Sequence, residues 1–388
     1  MISRIVKYFI AKLTSYLRAI KGRKGEDCYI SMISPNAPWV YVSYISNVFF
    51  HLHDDRRLNS HQNQREAIVI VETFNALGYN VYVVDYNSKR SLPNINVEIV
   101  FGLEPLFALA CEKYGTAKKI YYATGAYYKH QNKMVKYMTD MFNVKFNSRI
   151  PYRRLVASHN SCELSDYILQ IGSDFTIETY PIELRHKISK IRQSVQYQSK
   201  ILPIEFAREN EFVFMGSVGN ALKGIGSLIC YFSDHKDYII HIIGPMEQDV
   251  LEALRPTLTS NILFHGFMDV NSEDYLQILK KCNFLIYPSG SEGSPGAVLN
   301  LMRNGMIPLV SRWAAFDEIE NYGFLLDNVD EESIGKAINW AISQSETDIL
   351  RMKKKASNYV KNNFSLNFFS CNFKSYIESI IMETGVRS

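Results

Sequence analysis

The sequence predicts an α/β protein built from two doubly wound halves, each a parallel sheet with helices on its faces. Three observations predict it. From Trp39 onward, short apolar runs of strand length alternate with segments of helical period. The alternation lapses between about residues 186 and 210, in polar sequence containing Gln and Ser and ending near Pro203, which reads as a linker. It then restarts and runs towards the C-terminus, and strands separated by helices imply βαβ units. At 388 residues the chain is long enough for two or three domains, and 47% hydrophobic with 21% charged residues is an ordinary globular composition.

The first element is a helix over residues 1–26. Ile2, Ile5, Val6, Phe9, Ile10, Leu13, Leu17 and Ile20 recur at steps of three and four, with Arg4, Lys7, Lys12, Arg18, Lys21, Arg23 and Lys24 beside them and no acid before Glu26. Such a basic amphipathic helix lies on an anionic membrane surface through residues 1–24, or packs on a domain with its basic face in water. Lys7 and Lys12 break the apolar core that a signal peptide needs, and the sequence has no run of about 18 apolar residues.

In the first half, strands read at 39–46, 81–87, 97–102, 119–125 and 167–173. Helices read at 63–80, stopping at Gly78, and at Leu106 to Cys111. In the second half, "EFVFMG", "YIIHIIGP", "ILFHGFMD" and "NFLIYPS" read as strands running into loops. The apolar run of the last stops at Pro288, and a helix through Ala297 to Met302 closes at Asn304-Gly305 before the strand "PLVS". Loops at Gly216, Gly266 and 288–296 therefore follow strands of one sheet and converge on its carboxyl edge, where ligands bind in such folds.

One of these loops carries chemistry. "PSGSEGSPG" sets a lone carboxylate, Glu292, among small residues at the mouth of a helix. Gly293, Ser294 and Gly296 allow close approach to the backbone, and the free N–H groups of the helix's first turn favour an anion. Pro295 removes one of those donors, leaving Gly296 and Ala297.

Composition excludes other functions. A net charge of +4, with no basic stripe interleaved with aromatics, argues against nucleic acid. Six scattered cysteines without CxxC read as reduced thiols of a cytoplasmic protein. His51 and His53, with His61 beyond, lack a third ligand at metal spacing, so no metal site is expected.

Three segments, "FMGSVGNALKGIGSL", "FHGFMDVNSEDYLQILKKCNFLIYPSGSEGSPGAVLNLMRNGMIPLVS" and "NYGFLLDNVDEESIGKAI", resemble in order and spacing the retaining, nucleotide-sugar-dependent glycosyltransferases of the family 4 group. The match runs from about Glu211 to Phe369. The first half resembles that group's acceptor-side domain through "ETFNALGYNVYVVDYN" and "IYYATGAY". The resemblance implies a GT-B fold, with two Rossmann-like domains facing each other across a cleft. The acceptor-side domain is 27–200, the nucleotide-sugar domain 201–365, and a last helix over 366–388 returns to the first domain.

It also implies a metal-independent, hexosyltransferase-like enzyme. A sugar moves with retention from a nucleotide-diphosphate donor to a hydroxyl of a cell-envelope glycan or lipid-linked acceptor, as in polysaccharide biosynthesis. No cofactor is needed beyond that donor substrate, and the place of work is the inner face of the cytoplasmic membrane. A GT-B nucleotide-sugar epimerase and a catalytically silent partner or scaffold are the rivals.

Residue by residue, the resemblance gives Glu292 the hydroxyls of the transferred sugar. The group's second acid, eight residues on, is here Asn300, facing the ribose. Of the basic pair that neutralises the diphosphate, Lys223 matches the second member and Ser217 replaces the first, so an arginine from elsewhere, such as Arg153 or Arg312, is expected to compensate. Gly216, Phe267, Met268, Ser294, Gly296 and Ala297 complete the donor set. His130 faces the donor sugar, or Tyr127 takes that position.

Overall fold

The computed structural model describes residues 27–207, 210–314 and 316–385. The basic segment 1–26 lies outside them. Seven strands, β1 (Cys28–Ser31), β2 (Trp39–Tyr44), β3 (Asn80–Asp85), β4 (Val97–Gly102), β5 (Lys118–Ala123), β6 (Tyr167–Ile171) and β7 (Ile188–Ile191), form a sheet in the order β1-β3-β2-β4-β5-β6-β7. β2 pairs in parallel with β3 and β4, and β4 with β5, while β1 runs antiparallel along β3. The sequence reading missed β1: four residues are too few to establish a period.

A second sheet holds β8 (Glu211–Met215), β9 (Ile239–Ile243), β10 (Ile262–Gly266), β11 (Cys282–Tyr287), β12 (Ile307–Ser311) and β13 (Phe324–Leu326). Its order is β10-β9-β8-β11-β12-β13, and every pairing is parallel. Helices of seven residues or more are labelled α1 (Gln62–Ala76), α2 (Leu106–Lys113), α3 (Tyr128–Lys145), α4 (Ile225–Asp234), α5 (Gln248–Leu254), α6 (Glu273–Lys280), α7 (Gly296–Arg303), α8 (Glu331–Ile342), α9 (Glu346–Asn363) and α10 (Leu366–Gly385).

The chain forms two compact units that interleave in sequence. The first holds the described residues up to Tyr122, His159–Ile168 and the chain from Phe373; the second holds Ala123–Ser158 and Leu169–Asn372. In the first, Phe74 of α1, Phe101 of β4 and Phe373 of α10 meet edge to face at 5.6–5.9 Å. In the second, one large cluster makes most of the core, with Val135, Met138, Leu222 and Val329 forming a smaller one. Ile225, Leu228, Ile229 and Phe232 of α4 and Val298, Leu299, Leu301 and Met302 of α7 pack with the strands from both faces.

Helix ends follow the glycines. At Gly305 (φ +83°) the Met306 N–H donates to Leu301 O and the Gly305 N–H to Met302 O, the two bonds of a Schellman stop. α1 ends the same way at Gly78.

The segment expected to be a linker differs. It contains β7, and its later glutamines are strapped along α7. Gln193 Nε2 donates to Ser294 O (2.9 Å), Asn300 Nδ2 to Gln196 Oε1 (3.1 Å) and Asn304 Nδ2 to Gln198 Oε1 (3.1 Å). Asn300 and Asn304 stand four apart on one helix face, so amides that look solvated in sequence are satisfied by other amides. Among the described residues no helix is long and apolar enough to cross a membrane.

Candidate functional site

The loops after β8, β9, β10 and β11 leave the same edge of the second sheet. Two hydrogen bonds extend the ladder past the strands, Gly216 N–H to Ile243 O (2.9 Å) and Gly244 N–H to Gly266 O (2.7 Å). Gly244 sits at φ +120°, and a Cβ there would lie 1.8 Å from Gly216 O, so only glycine fits.

Lys223 precedes α4, with its side chain buried and its stem laid against Gly216. Its Nζ donates to Glu292 Oε1 at 3.1 Å, below the ring of Tyr287. The same carboxylate oxygen accepts from Tyr287 OH (2.9 Å) and Ser289 Oγ (3.2 Å), and Arg154 Nη1 stands 3.7 Å away. Burial pushes the Glu292 carboxyl up, but the charges of Lys223 and Arg154 and the hydrogen bonds hold it below the usual carboxylate range. Burial pushes Lys223 down, with Arg154 adding to the effect and Glu292 opposing it. The trio is one carboxylate and two cations, Lys223 buried and Arg154 partly exposed, with the Glu247 carboxylate also acting on Lys223.

Arg154 is the residue that sequence reasoning missed. It adopts a left-handed backbone (φ +66°), its carbonyl accepts from Gln131 Nε2 (3.1 Å), and its stem lies where a side chain on Gly219 would be. The two arginines expected to compensate for Ser217 are engaged elsewhere. Arg153 Nη2 bonds Asp249 of α5 (2.7 Å), and Arg312 Nη2 bonds Glu178 (2.7 Å) while its guanidinium lies over Phe175 and Trp313. Which of two adjacent arginines turns inward in an irregular segment depends on one φ angle, and no periodicity reports that.

Ser217 is exposed, and its carbonyl accepts from Asn220 Nδ2 (3.2 Å). The amides of the same loop already hold an anion. Gly219 N–H and Asn220 N–H donate to the two oxygens of Glu247 (2.5 and 3.0 Å), and Asn220 Oδ1 accepts the Glu247 N–H (2.9 Å).

The loop after β11 also differs from its sequence reading. A Cβ on Gly293 would lie 2.6 Å from Thr124 O and 2.8 Å from Ile171 O, so what approaches this glycine is the chain's own backbone. Ser294 offers a buried Oγ that has no hydrogen-bond partner, as does Ser291. Gly296 and Ala297 open α7 after Pro295, whose extended backbone caps the helix without a side-chain bond. Asn300 is buried, its Nδ2 held by Gln196 and its Oδ1 without a partner.

Phe267, directly after β10, is 81% exposed, a large aromatic face left in water at the sheet's carboxyl edge. Met268 packs on the core.

His130 lies in the first turn of α3 with its ring against Trp313 (centroids 4.5 Å), and the Trp313 carbonyl accepts the Glu292 N–H (3.0 Å). The histidine therefore backs the Glu292 loop. Burial pushes its pKa down, a hydrogen bond with the Gly290 backbone opposes this, and its Nε2 is buried without a partner. Tyr127 is buried as the N-cap of α3, with its N–H on Thr179 Oγ1 (3.0 Å). His61 caps α1 through Nδ1. Among the described residues no group of three or more His, Cys, Asp or Glu is placed to hold a metal.

Two largely parallel sheets, with loops gathered on the carboxyl edge of the second, define a doubly wound α/β architecture, and the comparisons specify it. Residues 202–363 match the family model "Glycosyl transferases group 1". The chain is similar in structure to sucrose-phosphate synthase of Thermosynechococcus elongatus (12% identity, TM-score 0.58, covering 90% of this chain and 100% of that one). It is also similar to HepE of Anabaena, solved with UDP and glucose (12%, 0.54, 89% and 100%), and to the lipopolysaccharide outer core galactosyltransferase WaaB (14%, 0.54, 88% and 99%). No curated protein matches the sequence. The fold is GT-B, and the second unit carries a glycosyl transferases group 1 domain.

Proposed function

We propose that the chain is a retaining glycosyltransferase of the family 4 type, moving a sugar from a nucleotide-diphosphate donor to a hydroxyl of a cell-envelope glycan or lipid-linked acceptor. The observation that carries this is Glu292, buried between Lys223 and Arg154 ahead of α7. The cations stabilise the diphosphate as it leaves, supported by the N–H groups of Gly296 and Ala297, so charge stabilisation needs no divalent metal. All the donors to Glu292 converge on Oε1, which leaves Oε2 to accept a sugar hydroxyl and orient the ring. Phe267 supplies a face for the base. In the same-face displacement that this reading implies, the bond from the anomeric carbon to the phosphate oxygen breaks as the bond to the acceptor oxygen forms. The acceptor proton passes to the departing phosphate.

HepE was solved with UDP and glucose, which supports a nucleotide donor here, and WaaB is a lipopolysaccharide outer core galactosyltransferase, which supports an envelope acceptor. Residues 1–24 are proposed to hold the enzyme on an anionic membrane. The test is a panel of nucleotides and nucleotide sugars in thermal shift, where a ligand at 100 times its dissociation constant stabilises by about 2.7 kcal/mol. Product analysis with candidate acceptors is the second stage; a free epimerised nucleotide sugar would replace transfer by epimerisation.

A second reading has its own observation. Glu247 fills the amides of the glycine loop, and Gln196 holds Asn300, as they would in a silent partner protein whose donor site is closed by its own side chains. Absence of stabilisation by every nucleotide in the panel would favour it.

A further inference from the structure

A second polar cluster crosses the same sheet. Glu211 opens β8, His241 is the middle residue of β9, and His265 is the fourth residue of β10. The register pairs His241 with Val213 on one side and Leu263 on the other. Side chains alternate along a strand, so Glu211, two residues before Val213, and His265, two after Leu263, share the face of His241. His241 is buried, with Nε2 2.5 Å from Glu211 Oε2 and Nδ1 2.9 Å from His265 Nε2. A carboxylate only accepts, so His241 carries a hydrogen on Nε2, and one hydrogen is shared between His241 Nδ1 and His265 Nε2.

His265 is also where the register between β9 and β10 shifts, between Phe264 and Gly266. It is the extra residue of a β-bulge, a device that re-aims the chain beyond it. Immediately beyond it stand Gly266 at φ +66°, its carbonyl held by Gly244, and then the exposed ring of Phe267.

We propose that the Glu211–His241–His265 chain positions the Gly266–Met268 loop against the nucleotide and thereby couples donor affinity to the protonation of the His241–His265 pair. This rests on the nucleotide reading of the edge given above. The groups facing His265 are His241 from β9, with Glu211 of β8 behind it, and Lys281 at the end of α6. Burial pushes His265 below the ordinary histidine value, and the His241 and Lys281 charges push the same way. A proton on both rings would set N–H against N–H and break the bond between them. The relief is to turn His265 outward, which undoes the bulge and carries Phe267 with it.

The experiment uses the full chain, its His265→Gln variant, and UDP, ADP and GDP as probes. Affinity is measured by calorimetry between about pH 5 and 7.5 and expressed as the ratio of wild type to variant, which cancels the ionisation of the phosphate itself. The ratio should fall by up to about tenfold below pH ~6.5, the worth of one pKa unit of coupling. In the wild type without nucleotide, the Gly266 amide and Phe267 ring resonances should titrate together with the ring resonances of the His241–His265 pair. A ratio that stays flat with pH, or loop resonances that ignore His265, overturns the proposal. If no nucleotide binds at any pH, the resonances alone decide it, and only the nucleotide reading fails.

Discussion

Glu292 and Glu211 are both largely buried carboxylates of the second unit, and their partners differ in kind. Glu292 faces Lys223 and Arg154, and the Glu247 carboxylate also acts on Lys223. Glu211 faces His241 and through it His265, two imidazoles in place of permanent cations. The first cluster sets two cations beside a helix N-terminus, where a diphosphate could meet both. The second holds its groups in a chain of hydrogen bonds that fixes geometry instead. A buried acid on its own says little; the balance of charge around it separates a ligand site from a brace.

The strongest way to break that comparison is Lys223→Met. It removes the nearer cation from a buried pair, a change that costs about 3 kcal/mol or more. Arg154 at 3.7 Å spares part of the loss. Denaturant unfolding should record it, and nucleoside diphosphate binding should vanish while free nucleoside still binds. Equal loss of both would make Lys223 a folding residue alone.

Next in size is a paired test of the two arginines. Arg154→Gln should weaken a nucleoside diphosphate by about 1.5–3 kcal/mol, the value of hydrogen bonds to a charged group. Arg153→Gln should cost only its surface pair with Asp249, about 1 kcal/mol at most, and leave binding alone. If calorimetry shows the reverse, the second diphosphate-facing cation has been placed on the wrong residue.

The pH dependence sharpens the contrast, because the two clusters respond over different ranges. Glu292 has a folded pKa below its unfolded value, so its stabilisation is present above the ordinary carboxylate range and is lost as pH falls through the folded value. His265 also has a depressed folded pKa, but as a base: folding is favoured where the ring is neutral, and that contribution is lost as pH falls below about 6.5. Acid unfolding of the wild type should thus begin in the histidine range. His265→Gln should weaken that early phase without abolishing it, since burial also lowers the pKa of His61, His130 and His159. In Glu292→Gln, turnover should collapse with nucleotide affinity kept, since the carboxylate is assigned to the sugar. Lys223 loses its partner there, so stability should rise with pH towards the ordinary lysine value, because burial already favours its neutral form.

What was legible in the sequence is what periodicity and glycine report. The strands of the second sheet, the stop at Gly305 and the convergence of the loops after Gly216 and Pro288 follow from apolar runs and glycines, while the role of Lys223 beside Glu292 came from the family resemblance. Three things were not legible. Arg154 depends on a left-handed φ that its residue type does not announce. Glu247 enters the glycine loop from 27 or 28 residues away, a partner that only the folded sheet brings near. The amide ladder from Gln193 to Gln198 looks like solvated linker because glutamine has the same composition signal whether its partner is water or another amide.

That ladder gives the smallest expected effect. Gln196→Ala takes away the oxygen that holds Asn300 Nδ2, and Asn300 Oδ1 already has no partner, so a buried amide is left unsatisfied at both ends. The loss of one hydrogen bond costs stability by about 1 kcal/mol. The effect on binding is what discriminates. If Asn300 belongs to the ribose, as the family resemblance implies, an amide freed from Gln196 can turn to the ligand, and nucleoside affinity should hold or rise slightly as stability falls. If Asn300 only fastens the 193–198 segment to α7, affinity should fall with stability, because the Ser294 end of the same ladder loosens with it. Calorimetry with nucleoside, set against unfolding of the same preparation, separates the two, and the second result would move Asn300 from the donor site to the scaffold.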